Sequence, residues 1–380
     1  MQQLPDWQNF HGCVRYLLRE ALQPLIDEIE KQPGIGAALK AKSEEKKRDN
    51  SFALAVLRLN LVDPAMGSGH FLVRATEWLA EQIVYHPTTR TMTEQIVANG
   101  DKRCSREEIV KAGKIPVPPG ASQEQAEIAY WRRRVVEACI YGVDVNPLAV
   151  ELTKLSLWLT CIAADEPLNF LDHHLRTGNS LLWANPDEMQ HLPLSNEAER
   201  KQITFNLGPK LLEAVKAVIA ENHAIEESAS TEMELVKKKE GRWKTVRDKL
   251  RPFLYFADVW VAALDGLPVN ELNYQMLARA ELEPGELDNK EKAYAKKLRE
   301  SLAADIETKR RALNPFHWRL EFPDVFFETD GKPRAEGGCG FDALLGNPPA
   351  APLCDSVTQW PARNQFDLVC KNKGLDRQRA

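Results

Sequence analysis

The amino-acid sequence predicts an α/β protein with a parallel sheet, interrupted by a large charged helical insertion. In the first half of the chain, short apolar runs typical of buried strands alternate with segments of helical periodicity. Polar side chains recur at the ends of those runs. From about residue 208 to 313 the chain is instead dense in Glu, Lys and Arg at helical spacing, which predicts solvated helices outside the sheet.

The composition and charge of the chain limit the classes of function that it can have. A chain of 380 residues with 43% hydrophobic side chains can form one large domain or two ordinary ones around a real core. The formal net charge of -5 argues against a chain that binds nucleic acid over its whole surface, so DNA contact would need a local basic surface or a basic domain outside this chain. The seven cysteines lack metal-ligand spacing, and neither a signal peptide nor a membrane-spanning apolar run is present. These features predict a cytoplasmic location without membrane association.

The first predicted elements form a helix, a strand and a second helix. Apolar residues at helical spacing, including Leu17, predict a helix from Cys13 to Ile29. The run Leu59–Val62 predicts a buried strand, and Phe71–Tyr85 predicts the helix that follows it. Residues 86–122 hold prolines, glycines and charges, which indicates an excursion from the main fold.

The alternation then repeats. A helix is predicted over Gln123–Glu137, a buried strand over Ala138–Asp144 and a strong helix over Pro147–Ala164. A third short strand is predicted within Leu175–Leu182, around Gly178–Leu182. The recurrence of strand and helix supports a parallel sheet.

The second half changes character after Pro186. Asp288–Leu313 predicts a long charged helix, Phe316–Phe327 has a strand-like pattern, and Phe341–Gly346 predicts a fourth buried strand. We therefore divide the chain into five segments. They are an N-terminal helical segment (1–50), a cofactor-binding part (51–186, with the excursion at about 86–122), a charged helical insertion (187–314), a return to the sheet (315–350) and an irregular tail (351–380).

Four polar residues fall at or just past the ends of the four predicted strands: Asp63, Asp144, Asn179 and Asn347. In an open parallel sheet, ligands bind beyond the carboxyl ends of the strands. The recurrence of polar groups at four such ends therefore predicts a binding site along this edge.

The segment after the first strand has two glycines in a turn that leads into a helix. Gly67 and Gly69 let the backbone approach a ligand closely. The pattern is not GxGxxG, so a dinucleotide pyrophosphate site is disfavoured. Asp63 followed by Pro64 fits a cofactor with a cationic or amino end better than a phosphate. An ordinary strand-to-helix turn is the alternative interpretation.

Asp144 has the position of an acid that accepts hydrogen bonds from ribose hydroxyls. It lies much farther beyond Asp63 than the usual spacing of about 20 residues, and the excursion at 86–122 accounts for the difference. The alternative is a helix N-cap role for Asp144 or Asn146, with Pro147 at the first helical position. We expect Asn146 to cap the helix and Asp144 to bind the ligand.

The Asn347-Pro348-Pro349 segment predicts a rigid loop that binds an amino group. The two prolines have fixed φ angles and no backbone N–H. Their carbonyl oxygens and the side-chain oxygen of Asn347 can therefore accept both hydrogens of one planar amino group. A rigid structural loop after a strand is the alternative.

In combination, these segments resemble the motifs of adenine-specific DNA methyltransferases in which the cofactor motifs precede the catalytic motif. The large type IIG restriction-modification methylases and the BREX-type phage-defence methylases are the members that the chain resembles. The matching segments are Asp63–Phe71, Tyr141–Pro147, Gly178–Leu182 and Gly346–Pro349.

The resemblance implies a Rossmann-like methyltransferase sheet that binds S-adenosyl-L-methionine, with double-stranded DNA carrying a flipped adenine as the substrate. It also implies partner proteins from a defence system. The implied cofactor-binding residues are Asp63, Pro64, Ala65, Gly67 and Gly69 for the methionine part, Asp144 for the ribose and Asn179 for the cofactor adenine. The implied catalytic residues are Asn347, Pro348 and Pro349.

Two departures from this family pattern lower the expected activity. Ala350 stands where the family has an aromatic residue that stacks on the flipped base. Stacking is worth about 1–3 kcal/mol per base, so we expect a rate loss of roughly 10- to 100-fold. The tail 351–380 lacks strand or helix periodicity, which suggests a fragment, with a frameshift near residue 350. The alternatives are an inactive cofactor-binding remnant, a protein glutamine methyltransferase and, more distantly, a nicotinamide-dependent oxidoreductase.

Overall fold

The structure is a computed structural model. It describes residues 7–41, 50–89, 123–161, 170–193, 195, 207–227, 233–335 and 338–347. Several predictions fall outside these residues, namely most of the excursion at 86–122, the end of the helix predicted to Ala164, Pro348, Pro349, Ala350 and the tail.

The described elements alternate between helices and short strands in the first half and are mainly helical in the second. In chain order they are α1 (Trp7–Glu30), α2 (Pro33–Leu39), α3 (Ser51–Val56), β1 (Leu61–Asp63), α4 (His70–Tyr85), α5 (Gln123–Cys139), β2 (Ile140–Asp144), α6 (Pro147–Thr160), β3 (Leu175–Thr177), α7 (Leu207–Glu227), α8 (Met233–Leu264), α9 (Glu271–Leu282), α10 (Asn289–Leu313), α11 (Trp318–Glu321), α12 (Pro323–Phe326) and β4 (Ala343–Leu344).

The chain divides into two compact units. Unit 1 comprises Met1–Arg176, Ile225–Glu240 and Gly340–Pro352. Unit 2 comprises Thr177–Ala224, Gly241–Cys339 and Leu353–Ala380.

A four-stranded sheet with the order β3-β2-β1-β4 organises the described α/β core. β1 pairs in parallel with both β2 and β4, so that Leu61 faces Ile140 on one side and Ala343 on the other. All three residues of β1 are buried, as expected for a central strand of a parallel sheet. The predicted α/β fold is confirmed. Because β1 and β4 are adjacent, the sheet joins segments that lie far apart in the sequence.

Helices α1, α4, α5 and α6 of unit 1 contribute to one hydrophobic core with the sheet. Leu72, Leu79 and Ile83 of α4 are fully buried at helical spacing, which explains why this segment is a helix. The helix predicted from Cys13 is confirmed as α1, although it begins at Trp7. Leu17 is 55% exposed and does not join the buried face.

The third strand, Leu175–Thr177, occupies the start of the predicted range Leu175–Leu182 and not the Gly178–Leu182 run around which it was predicted. Gly178–Leu182 is not a strand, because the chain turns immediately after Thr177. The side-chain oxygen of Asn179 accepts a hydrogen bond from the backbone N–H of Leu181 at 3.1 Å, and the Leu182 N–H bonds to the Asn179 carbonyl oxygen. This local bonding by an Asn side chain favours a turn over a strand.

The strand-like prediction for Phe316–Phe327 is wrong, because the segment forms the short helices α11 and α12. Its apolar residues are buried without alternation, and Pro323 occupies the first turn of α12. The fourth predicted strand, Phe341–Gly346, is shorter than expected, since only Ala343–Leu344 forms β4.

The long charged helix of unit 2 is confirmed as α10. Asp288 and Glu291 form a reciprocal capping box at its start, in which the Asp288 carboxylate accepts from backbone N–H groups and Glu291 accepts from the Asp288 N–H. Ala295, Leu302 and Ile306 are its buried residues. The remaining charged face is solvated.

Candidate functional site

Asp63 is the last residue of β1, and its carboxyl group is buried with 1% of the residue exposed. The pKa of Asp63 is raised to about 7, chiefly because burial penalises the charged form. A hydrogen bond from the Ala65 N–H at 3.0 Å lowers this pKa, and the negative charge of Asp144 makes a smaller contribution that raises it. Near neutral pH this carboxyl therefore exists in both protonation states. A cationic group placed beside it would stabilise the carboxylate.

The turn after Asp63 depends on its two glycines. Gly67 and Gly69 have φ angles of 54° and 79°, a region that glycine adopts without strain. A Cβ atom on Gly69 would lie 2.6 Å from Cγ2 of Thr153, whereas a Cβ atom on Gly67 would meet nothing within 4 Å. The turn is thus packed against α6 on one side and open on the other.

Thr153 holds the glycine turn in place. This residue was not identified from the sequence as part of the site. Its hydroxyl group donates a hydrogen bond to the Gly67 carbonyl oxygen at 2.9 Å. The residue is fully buried on α6, on the same helical face as Val150 and Leu157. Periodicity could have placed Thr153 on the buried face, but its contact with Gly67 depends on the fold.

Asp144, at the end of β2, connects the glycine turn to the start of α6. Its two carboxylate oxygens accept hydrogen bonds from the Gly67 N–H at 2.9 Å and the Asn146 N–H at 2.8 Å. The N-cap of α6 is Asn146, whose side chain accepts from Leu148 N–H, as predicted. The alternative in which Asp144 caps the helix is wrong. A carboxylate offers about four acceptor positions, so Asp144 retains room for further donors.

The segment leading to Asn347 passes directly beside Asp63. The Leu345 N–H donates to the Val62 carbonyl oxygen at 2.8 Å, which holds this segment against β1. A Cβ atom on Gly346 would lie only 2.7 Å from a carboxyl oxygen of Asp63, so the close approach requires glycine. Asn347 follows and is exposed.

Most of the site residues that were predicted from the sequence and are described in the structure lie in the same unit. Asp63, Pro64, Ala65, Gly67, Gly69, Asp144 and Asn347 all belong to unit 1. Asn179 belongs to unit 2, where its N–H donates to the Asn314 carbonyl oxygen at 2.6 Å. Its side-chain oxygen already accepts from Leu181, as described above.

These features define the class of the protein. A parallel sheet, acids at the ends of two adjacent strands, a glycine turn before a helix and an exposed Asn after a third strand are consistent with a methyltransferase-like α/β fold. Residues 138–349 match the family described as "Eco57I restriction-modification methylase". The match covers more than half of the chain, and the chain belongs to this family.

A curated relative agrees with this assignment. The chain is 23% identical over 316 residues to a protein of Methanocaldococcus jannaschii named "Putative type II restriction enzyme and methyltransferase". The alignment covers 77% of this chain and 22% of that protein, so the chain spans about a fifth of the relative's length. No solved structure matches the chain.

The family assignment confirms the resemblance to restriction-modification methyltransferases. Methylases of this kind generally use S-adenosylmethionine. None of the helices in the described part of the chain is long and apolar enough to cross a membrane.

Proposed function

We propose that this chain binds S-adenosyl-L-methionine and transfers its methyl group to the N6 amino group of adenine in double-stranded DNA, as part of a restriction-modification or phage-defence system. One observation carries the proposal. The glycine turn and the Asn347 segment are about 280 residues apart in the sequence, yet Gly346 lies against the Asp63 carboxyl. The two halves of the proposed site therefore share one edge of the sheet.

The residues of unit 1 fit the cofactor. The buried Asp63 carboxyl suits the ammonium group of the methionine part, because a cation there would offset the burial of its charge. The open side of Gly67 allows close approach to the backbone. The remaining acceptor positions of Asp144 suit ribose hydroxyls. Pro64, Ala65 and Gly69 would shape this turn. A contact of Asn179 with the cofactor adenine is supported only by the resemblance of Gly178–Leu182 to a family motif.

The Asn347 segment would bind the target base. When bound, the cofactor supplies an electrophilic methyl group on its sulfonium. The Asn347 side-chain oxygen and the carbonyl oxygens of Pro348 and Pro349 would accept the amino hydrogens of a flipped adenine. These bonds hold the nitrogen in place and leave its lone pair directed toward the methyl group. Such positioning supplies a large part of the rate enhancement.

The alanine at position 350 supports a second candidate function, in which the chain binds the cofactor but transfers methyl groups slowly or not at all. Without an aromatic side chain at this position, the flipped base loses a stacking partner. Cofactor binding depends on the glycine turn and is expected to remain.

The test is methylation of unmodified duplex DNA by the full chain, with mass spectrometry of the released nucleosides. We expect N6-methyladenine at a low rate, and loss of the product in Asn347→Ala. Asn289→Ala, which changes an exposed Asn at the start of α10, is the matched control. Calorimetry with the cofactor completes the experiment. Cofactor binding without any methylated nucleoside would support the inactive form, whereas a methyl group on another base would refute adenine specificity.

A further inference from the structure

Unit 2 contains a cavity of about 220 Å³ between α8, α9 and α10, which the proposed methyl transfer does not use. One wall is aliphatic and includes Leu277 and Leu287. The polar lining consists of Tyr255 from α8, Glu281 from α9, and Lys292, Lys296 and Arg299 from α10. The cavity therefore combines an apolar wall with a strongly charged one.

The charged wall is positive. Lys292, Lys296 and Arg299 are spaced by four and three residues, so they project from the same face of α10. Arg299 is paired with Glu281 at 2.5 Å. In the part of the chain that the structure describes, neither lysine has an ion-pair partner, and both are exposed. Three positive charges face one negative charge, which leaves an excess of two.

A tyrosine hydroxyl adds an independent indication of a ligand. The Tyr255 hydroxyl is buried and has no hydrogen-bond partner among the described residues, although buried hydroxyls are usually bonded. The Arg299 guanidinium lies 5.0 Å from the Tyr255 ring centroid, which places the hydroxyl within the positive environment. Burial raises the pKa of Tyr255, the charge of Arg299 lowers it and that of Glu281 raises it, so the group is a proton donor at neutral pH.

We propose that this cavity binds a phosphate group. A phosphate carries up to two negative charges and several strong acceptor oxygens, which match the excess charge and the donors of Tyr255, Lys292 and Lys296. The volume exceeds that of one phosphate ion, so the aliphatic wall has space for the group attached to it. The phosphate comes either from a DNA backbone or from a small free phosphate compound.

Calorimetric titration of the full chain with inorganic phosphate tests the site directly. Tyr255→Phe removes the only donor of that side chain and is expected to weaken binding about tenfold, since bonds to charged groups are strong. Lys296→Gln is expected to weaken it about threefold. Lys297→Gln changes the neighbouring exposed lysine, which does not line the cavity, and is the matched control with unchanged binding.

The same variants identify the source of the phosphate through the salt dependence of duplex DNA binding. If the ligand is a backbone phosphodiester, Lys296→Gln lowers the slope of log affinity against log salt by about one, and Lys297→Gln does not. If the ligand is a free phosphate compound, the DNA slope stays the same in both variants while phosphate binding weakens in Lys296→Gln. Neither measurement requires methyl transfer, so each stands apart from the proposed function.

Folding does not confound the result, because Tyr255→Phe removes a buried hydroxyl without a described partner and is expected to leave thermal stability unchanged or slightly raised. The proposal is overturned if phosphate binding is equal in the original chain, Tyr255→Phe and Lys296→Gln. It is also overturned if phosphate does not bind and the two lysine variants have the same salt slope with DNA.

Discussion

Replacing Asp63 with Asn should make the free protein more stable at alkaline pH while it weakens cofactor binding. In the unfolded chain the Asp63 carboxyl loses its proton near 3.8, and in the folded chain it does so only near 7. Between these values the folded state holds the extra proton, so the free energy of unfolding falls as pH rises through this window. Above pH 7 the free energy of unfolding has fallen by about 4 kcal/mol, because each unit by which the pKa is raised corresponds to about 1.36 kcal/mol.

Asp63→Asn removes this titration but keeps an oxygen that can accept from the Ala65 N–H. The stability of the variant relative to the original chain should therefore increase by about 3 kcal/mol between pH 5 and pH 8. Urea unfolding at both pH values measures this difference. Asp342→Asn is the control, because Asp342 immediately precedes β4, accepts a bond from the Asn60 N–H and is only partly buried.

The reasoning is refuted if the difference in stability between Asp63→Asn and the original chain is the same at pH 5 and pH 8. It is equally refuted if Asp342→Asn shows the same change with pH, because the effect would then not depend on the burial of Asp63.

Three further predictions concern the same site. The cofactor should bind about tenfold more weakly at pH 6 than at pH 8, because the Asp63 carboxyl must be ionised to pair with an ammonium group; calorimetry in buffers of different ionisation enthalpy would also detect the released proton. Gly69→Ala should destabilise the fold by about 1–3 kcal/mol, since its Cβ meets Thr153 at a positive φ, whereas Gly36→Ala, within α2, should not. Asn146→Ala should lower the free energy of unfolding by about 1 kcal/mol through loss of the α6 cap, as measured by thermal unfolding.

The central part of the fold was predictable because its strands are buried on both faces. Leu61–Asp63 and Ile140–Asp144 are compact apolar runs that end in an acid, and the helices after them have clear periodicity. The same rule failed for Phe316–Phe327, since an aromatic-rich run that is buried on all sides does not distinguish a strand from short helices.

The positions of the candidate site residues at strand ends were predictable from the sequence, but the contacts that support them were not. Asp63, Gly67 and Asp144 were identified from their positions after strands. Thr153 was missed because its bond to Gly67 links residues 86 positions apart, and only the docking of α6 against the turn creates it. The closeness of Gly346 to Asp63 also follows from the pairing of β1 with β4, which no local pattern reveals.

The energetics of Asp63 connect the fold to the proposed function. A buried carboxyl without a cation beside it among the described residues opposes folding at neutral pH, and an apolar or amide side chain would pack there at lower cost. The surrounding contacts nevertheless hold this group at the carboxyl end of β1, between the glycine turn and Gly346. A ligand that supplies a positive charge would recover most of the lost stability as binding free energy. The ammonium group of S-adenosyl-L-methionine meets this requirement, and a neutral or purely anionic ligand does not.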